Sequence, residues 1–205
     1  MSEYKLHYFN GRGAAEPARL VFALAGVEYD DVRCEEEDWP TKKPHMPLGA
    51  LPVLEIDGKM MTQSQAIVRY LAREFGFYGA NNMETFRIDE IHEAVVELNR
   101  ELYKVRAEKD DTKKKEVQQS FVDTIVPKFM NFFERRCTEN GGGGGYFIDG
   151  GMTLADVLVY NITFNMEYYL KLSLDKWPKT MAVCKKVENH PKIAAWLKER
   201  PVTDF

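Results

Sequence analysis

Apolar residues recur along this chain with two periods, and the change between them divides it. In residues 4–9, YKLHYF, β-forming residues alternate with more polar ones, which predicts a strand. From Glu16 the period lengthens: Leu20, Val21 and Leu24 form a helical stripe. Pro17 suits a first helical turn, where its missing N–H is not needed, and Gly26 suits the helix end. EYDDVR (28–33) predicts a second strand, completing a βαβ unit. Prolines at 40, 44, 47 and 52 leave room for at most one short helical turn in the loop that follows. PVLEI and KMMTQ then flank Asp57-Gly58, a hairpin signal. QAIVRYLAREFG predicts an amphipathic helix with Ala66, Ile67, Tyr70, Leu71 and Phe75 on one face and Ser64 as its N-cap.

The order β-α-β-loop-β-β-α is that of a small α/β domain with a mixed sheet, expected over residues 1–78, with GFYGANN (76–82) as linker. Beyond it, 85–108, 112–138, 153–170, 177–189 and 191–199 all carry helical spacing, predicting an all-α domain over 83–205. GGGGG (141–145) reads as a loop between helices; it lacks the Gly-Lys-Ser/Thr end of a phosphate loop. Thr153 and Asp156 have capping-box spacing, which is a folding signal.

Charge narrows the function. With 28 Lys and Arg against 32 Asp and Glu the chain is mildly acidic, which argues against nucleic acid and anionic membranes as partners. The densest charged run, KVRAEKDDTKKKE (104–116), mixes both signs and reads as a solvated helix connection. Cys34, Cys137 and Cys184 are far apart and form no C-x-x-C. No apolar run reaches the ~18 residues of a membrane span and no apolar leader opens the chain, so the expectation is a cytosolic protein with reduced thiols. His92-Glu93 begins like a zinc helix, but Val96 stands where the second histidine belongs, and His7, His45 and His190 are scattered. No metal is expected.

The connection Asn10-Gly11-Arg12-Gly13, between strand and helix, poses the chemical question. As a nucleotide fingerprint it fails, because Glu16 occupies the third glycine position and would face a phosphate. The glycines then serve to make the turn and leave space beside Tyr8. From this segment alone Tyr8 reads more readily as a half-buried strand aromatic than as a catalytic residue.

Taken together, YKLHYFNGRGAAEPAR, DWPTKK, GALPVLEIDGKMMTQSQAIVRYLA, the Thr153 capping box and HPKIAAWLKERP resemble the soluble glutathione S-transferases. The likeness is narrower to the sigma class, which includes the haematopoietic prostaglandin D synthases and many nematode enzymes. It implies a thioredoxin-like α/β N-terminal domain that binds glutathione as co-substrate, and an all-α C-terminal domain that shapes the electrophile pocket and dimer contacts. By position, Tyr8 would be the catalytic residue, its hydroxyl favouring glutathione thiolate over thiol. Gln63 and Ser64 would hold the γ-glutamyl carboxylate, Leu51 with a cis Pro52 the cysteinyl backbone, and Trp39 and Lys43 the glycyl carboxylate. Glu97, with Glu93 as the alternative, would approach the glutathione amine from the partner subunit of a homodimer. Phe9, Gly13, Tyr103 and Phe205 are the candidates for the electrophile pocket.

Two departures stand out. Ala14 replaces the arginine that supports the thiolate in the prostaglandin synthases, which weakens the isomerase reading. Ala50 stands where Gln or Lys often helps hold the glycyl end. The activity implied is conjugation of glutathione to small hydrophobic electrophiles, in detoxification. The alternatives are prostaglandin H to D isomerisation and a weakly catalytic carrier of haem or other hydrophobic ligands.

Overall fold

A computed structural model of the chain describes residues 2–139 and 145–203. Backbone packing divides the chain into two units, Met1–Phe77 with Asn189–Phe205, and Tyr78–Glu188.

The first unit is built on a four-stranded sheet in the order β2-β1-β3-β4. Strand β1 (Tyr4–Phe9) pairs parallel with β2 (Asp30–Cys34) and antiparallel with β3 (Val53–Ile56), which pairs with β4 (Lys59–Thr62) across the Asp57-Gly58 turn. Helix α1 (Glu16–Ala25) is the βαβ crossover, and Gly26 ends it at φ +71. α2 (Trp39–Lys42) and the 3₁₀ turn Lys43–His45 fill the proline-rich loop, and α3 (Ser64–Glu74) follows β4. Leu6, Leu20, Val21, Phe22, Val53, Leu54 and Leu71 are buried between sheet and helices. Phe22 anchors an aromatic cluster, stacked on Tyr29 at 4.2 Å, edge-on to Tyr4 and tilted against Phe75.

Two expectations for α3 change. Ile67, Val68, Leu71 and Ala72 form the buried face, whereas Ala66 and Tyr70 are exposed. Ala66 and Tyr70 flank the stripe at helical spacing, and alanine and tyrosine tolerate either environment. Ser64 is the first helical residue, not the cap. Gln63, at φ 77, reverses the chain after β4, and its carbonyl accepts the Ile67 N–H at 2.9 Å.

The unit closes with the last helix, α9 (Pro191–Glu199). This differs from the expected run of 83–205 as one helical domain. Lys192 Nζ donates to the Ala25 carbonyl at the end of α1 (2.9 Å), and Trp196 and Arg200 bond to Glu16 at its start. Those contacts tie α9 to the α/β unit.

The second unit is helical: α4 (Asn82–Ala107), α5 (Asp111–Ser120), a π-helical turn (Phe121–Ile125), α6 (Val126–Glu139), α7 (Leu154–Leu170) and α8 (Pro178–Glu188). Asn81 caps α4 by accepting the Met83 and Glu84 N–H groups. The helical stretch expected over 112–138 is continuous but passes through the π turn. Pro127 supplies the reason: it lacks an N–H and crowds the carbonyl four residues before it, so the ladder is re-registered just upstream. In α7 the Asp156 carboxylate accepts the Thr153 N–H at 2.7 Å, the Thr153 hydroxyl at 2.9 Å and the Phe147 N–H at 2.9 Å. Burial nevertheless pushes its pKa up to about 6. The glycine run lies outside the described residues except for Gly145. Among the described residues no helix is long and apolar enough to cross a membrane.

Candidate active site

Side chains alternate across a strand, so Tyr8 shares its face of β1 with the buried Tyr4 and Leu6. It is the penultimate residue of a central strand, paired with Arg33 of β2, and is itself half-buried. The chain then turns sharply. Gly11 N–H returns to the Phe9 carbonyl at 2.7 Å, Gly13–Ala15 form one 3₁₀ turn, and Glu16 N–H bonds to the Arg12 carbonyl at 2.9 Å.

Gly13 is where the turn meets the phenol. It has φ +37, and a Cβ placed on it would lie 2.4 Å from Tyr8 Oη and 2.8 Å from Cε1. No ordinary side chain fits there without displacing the ring. The next residue completes the contact: Ala14 N–H donates to Tyr8 Oη at 3.0 Å. Because the oxygen accepts that bond, its own hydrogen remains available to another acceptor, and the N–H polarises the hydroxyl toward donating it.

A buried ionic network underlies the turn. Arg19 is fully buried; its Nη1 donates to the Gly11 carbonyl at 2.6 Å and its Nε to Asp31 at 3.0 Å. Its guanidinium carbon lies 5.8 Å from the centre of the Tyr8 ring. Glu16 is 1% exposed and accepts from Trp196 Nε1 at 3.0 Å and Arg200 at 2.7 Å, with Arg19 Nη1 at 3.5 Å. Arg33 completes the charge balance by pairing with Asp31 at 2.8 Å. Glu16 is thus compensated and does not confront the turn as a free anion. What separates this turn from a phosphate loop is the phenol packed against Gly13. Neither Glu16 nor Arg19 was singled out as functional by sequence. The available signal was an arginine three residues after a glutamate, inside a run that is otherwise apolar.

The remaining candidates in the first unit lie at the end of β1, in the proline-rich loop that leads into β3, and at the start of α3. Phe9 meets Tyr8 edge-on at 5.8 Å and Trp39 at 5.3 Å, giving an aromatic series Tyr8–Phe9–Trp39. Lys43 is exposed in its 3₁₀ turn, with its aliphatic stem along Gly49. The Leu51–Pro52 peptide is cis, as the resemblance implies, and leads directly into β3. Gln63 is exposed and Ser64 half-buried at the N-terminus of α3. Ala14 and Ala50 are exposed.

In the second unit Glu97 and Tyr103 both lie on α4. Glu97 pairs with Lys128 at 2.8 Å and is about half exposed, Glu93 is exposed, and Tyr103 is 66% exposed. Phe205 lies outside the described residues. Among the described residues no group of three or more His, Cys, Asp or Glu side chains is arranged to hold a metal ion. His92, the first residue of the broken zinc pattern, is buried in the core.

Residues 4–73 match the glutathione S-transferase N-terminal domain and residues 96–200 its C-terminal domain. The chain is similar to S-crystallin SL11 of Nototodarus sloanii, with 42% identity over the whole of both chains. It is 33% identical to a glutathione S-transferase of Anopheles gambiae, again over the whole of both. The structure of prostaglandin synthase D of Nilaparvata lugens superposes with a TM-score of 0.89 at 36% identity, covering 98% of this chain and 100% of that one. Two domain matches in the right order, full-length relatives and a shared two-unit fold lead to one assignment: the chain belongs to the glutathione S-transferase family.

Proposed function

We propose that this protein conjugates the thiolate of glutathione to small hydrophobic electrophiles, as a cytosolic, sigma-class homodimer acting in detoxification. The observation that carries the reading is the Tyr8 hydroxyl, which accepts from Ala14 N–H beside a residue with no side chain. A hydroxyl held that way can donate to sulfur, and the missing Cβ preserves the room such a donor needs. An ordinary thiol titrates near ~8.5, and each unit of lowering is worth about 1.4 kcal/mol. Two units would make roughly three quarters of the bound thiol reactive at neutral pH, within reach of one aimed donor and nearby dipoles.

The family assignment implies which residues would hold the tripeptide, and their chemistry fits it. Ser64 offers a hydroxyl at the start of α3, where unpaired N–H groups and the helix dipole favour the γ-glutamyl carboxylate, with Gln63 beside it. Leu51, before Pro52, would pair with the cysteinyl backbone. Trp39 and Lys43 would take the glycyl carboxylate, Lys43 supplying the charge. Glu97, exposed enough to reach outward, would meet the amine of glutathione bound to the partner subunit. Phe9 and Gly13, beside Tyr8, would line the first unit's part of the electrophile side.

Two other readings stand beside this one. Glutathione-dependent prostaglandin H to D isomerisation draws on the structural neighbour named prostaglandin synthase D, but Ala14 lacks the arginine expected for it. A weakly catalytic carrier of haem or other hydrophobic ligands is the second alternative that the family fold allows.

The test is conjugation of glutathione to 1-chloro-2,4-dinitrobenzene by the native chain and by Tyr8→Phe. The expected outcome is turnover by the native protein and a loss of about tenfold or more in the variant at pH 7. Equal rates in the two would remove Tyr8 from the mechanism. Absence of turnover in both, with glutathione still bound, would favour the carrier.

A further inference from the structure

We infer that Glu16 is a positioning residue, through which the C-terminal segment sets the turn that aims Tyr8. The inference rests on the reading of Tyr8 as thiolate stabiliser and extends it to residues that no family role above includes.

The turn between Tyr8 and α1 has little to hold it by itself. It contains two glycines, and its contact with the phenol is one hydrogen bond from Ala14 N–H. Its carbonyls are held from below. Arg19 Nη1 donates to Gly11 O at 2.6 Å and to Arg12 O at 3.4 Å. The Glu16 N–H takes the same Arg12 carbonyl at 2.9 Å. Arg19 and Glu16 therefore fix the backbone of residues 11 and 12, three and two positions before the Ala14 amide.

What fixes Glu16 comes from far along the sequence. Its carboxylate accepts Trp196 Nε1 at 3.0 Å and Arg200 Nη1 at 2.7 Å. A third link is separate: Arg12 Nη1 donates to the Thr203 carbonyl at 3.3 Å. The turn is thus clamped between β1 and the segment 196–203. Glu16 is 1% exposed and Arg19 fully buried, so the ionic contacts are largely unscreened by solvent. Packing alone would have been served by apolar residues at these positions. Ionic contacts impose direction: a carboxylate with three donors around it has one orientation that satisfies them all. That orientation sets the first turn of α1, hence Ala14 N–H, hence the rotation of the Tyr8 hydroxyl.

Arg200→Ala and Arg200→Lys separate positioning from simple stability, and Trp196→Phe, which removes the Nε1–H bond while keeping an aromatic ring, serves should the alanine variant fold poorly. Two quantities are read: the pH profile of conjugation at saturating glutathione, and hydrogen exchange of the Ala14 amide in the protein without glutathione. If Glu16 positions the turn, Arg200→Ala exchanges Ala14 about tenfold faster, loses about fivefold in kcat at pH 7 and shifts the profile upward by about half a unit. Trp196→Phe moves both in the same direction by less, and Arg200→Lys recovers part of each. A lowered melting temperature with unchanged profile and unchanged Ala14 exchange would overturn the proposal, leaving these contacts as a structural clamp. Conjugation by Tyr8→Phe at the native rate would instead remove the underlying reading, and the positioning role with it. A slow Tyr8→Phe beside an unaffected Arg200→Ala and Trp196→Phe would overturn the positioning role alone.

Discussion

Replacing Gly13 by alanine probes the space beside the Tyr8 phenol. The added Cβ would stand 2.4 Å from Tyr8 Oη, 2.8 Å from Cε1 and 2.9 Å from Cζ, against about 3.5 Å for comfortable contact between carbon atoms. The backbone adds a second penalty: at φ +37 a residue with a Cβ is strained by about 1–2 kcal/mol. The ring or the turn must move by about an ångström, and either movement breaks the Ala14 to Tyr8 hydrogen bond, worth about 1 kcal/mol. The sum is about 2–3 kcal/mol, or roughly 5–10 °C in melting temperature for a chain of this size. A shift of about 1 Å at a reacting group lowers activity by roughly a hundredfold.

Gly58→Ala is the matched control. It has φ +79 in the β3–β4 turn, but no atom lies within 4 Å of the Cβ it would gain. It should lose about 1 kcal/mol to strain and keep its conjugation rate to within about twofold. Thermal unfolding and glutathione conjugation, measured side by side on the native protein and both variants, isolate the collision by subtraction. The reasoning is refuted if Gly13→Ala matches Gly58→Ala in both melting temperature and rate.

Asp156 makes stability depend on pH. Burial raises its folded pKa from 3.8 to about 6, so below pH 4 both folded and unfolded forms are protonated, and between about 4 and 6 the folded form holds the proton more tightly. Its contribution is therefore lost as pH rises through that window, by up to about 3 kcal/mol. Urea unfolding of native protein and Asp156→Asn should show the native advantage shrinking from pH 4 to 6; parallel curves would contradict it. Burial also pushes the Cys137 and Cys184 thiols up to about 12, which leaves them roughly a thousandfold less thiolate at pH 8 than an ordinary cysteine. Labelling with a disulfide reagent should be slow at both until urea is added; rapid native labelling mapped to either position would refute this. Glu134 accepts the Lys179 N–H at 3.0 Å and the Thr180 N–H at 2.8 Å at the start of α8. Glu134→Ala should cost about 2 kcal/mol, read as a fall in melting temperature, and an unchanged melting temperature would show the cap to be dispensable.

The parts of this fold legible in sequence were those written locally. The hairpin at Asp57-Gly58, the start of α1 at Glu16-Pro17 and the capping box at Thr153 each depend on residues within four positions of one another. Less was legible where two readings share one local pattern. Ala66 and Tyr70 were expected in the core because they flank the stripe that Ile67 and Leu71 define, yet both are exposed. Ser64 was expected to cap α3 by residue type, whereas the capping position belongs to a glutamine at φ 77, a conformation its side chain does not announce. The role of Gly13 beside Tyr8 could be anticipated, since only five residues separate them. The partners of Glu16 could not: Trp196 and Arg200 are 180 and 184 residues away, and nothing near Glu16 names them.

That separation also sets an order of events during synthesis. A ribosome making about 5–20 residues per second needs about 10–40 s to pass from Glu16 to Trp196, 180 positions on. Through that interval the β1–α1 corner exists with its acid unanswered by its two distant donors. The local bonds from Arg19 and from Ala14 N–H can form in that interval, whereas the bonds from Trp196 and Arg200 must wait until residues 78–188 have been made. The Tyr8 corner is thus synthesised well before the two donors that complete it.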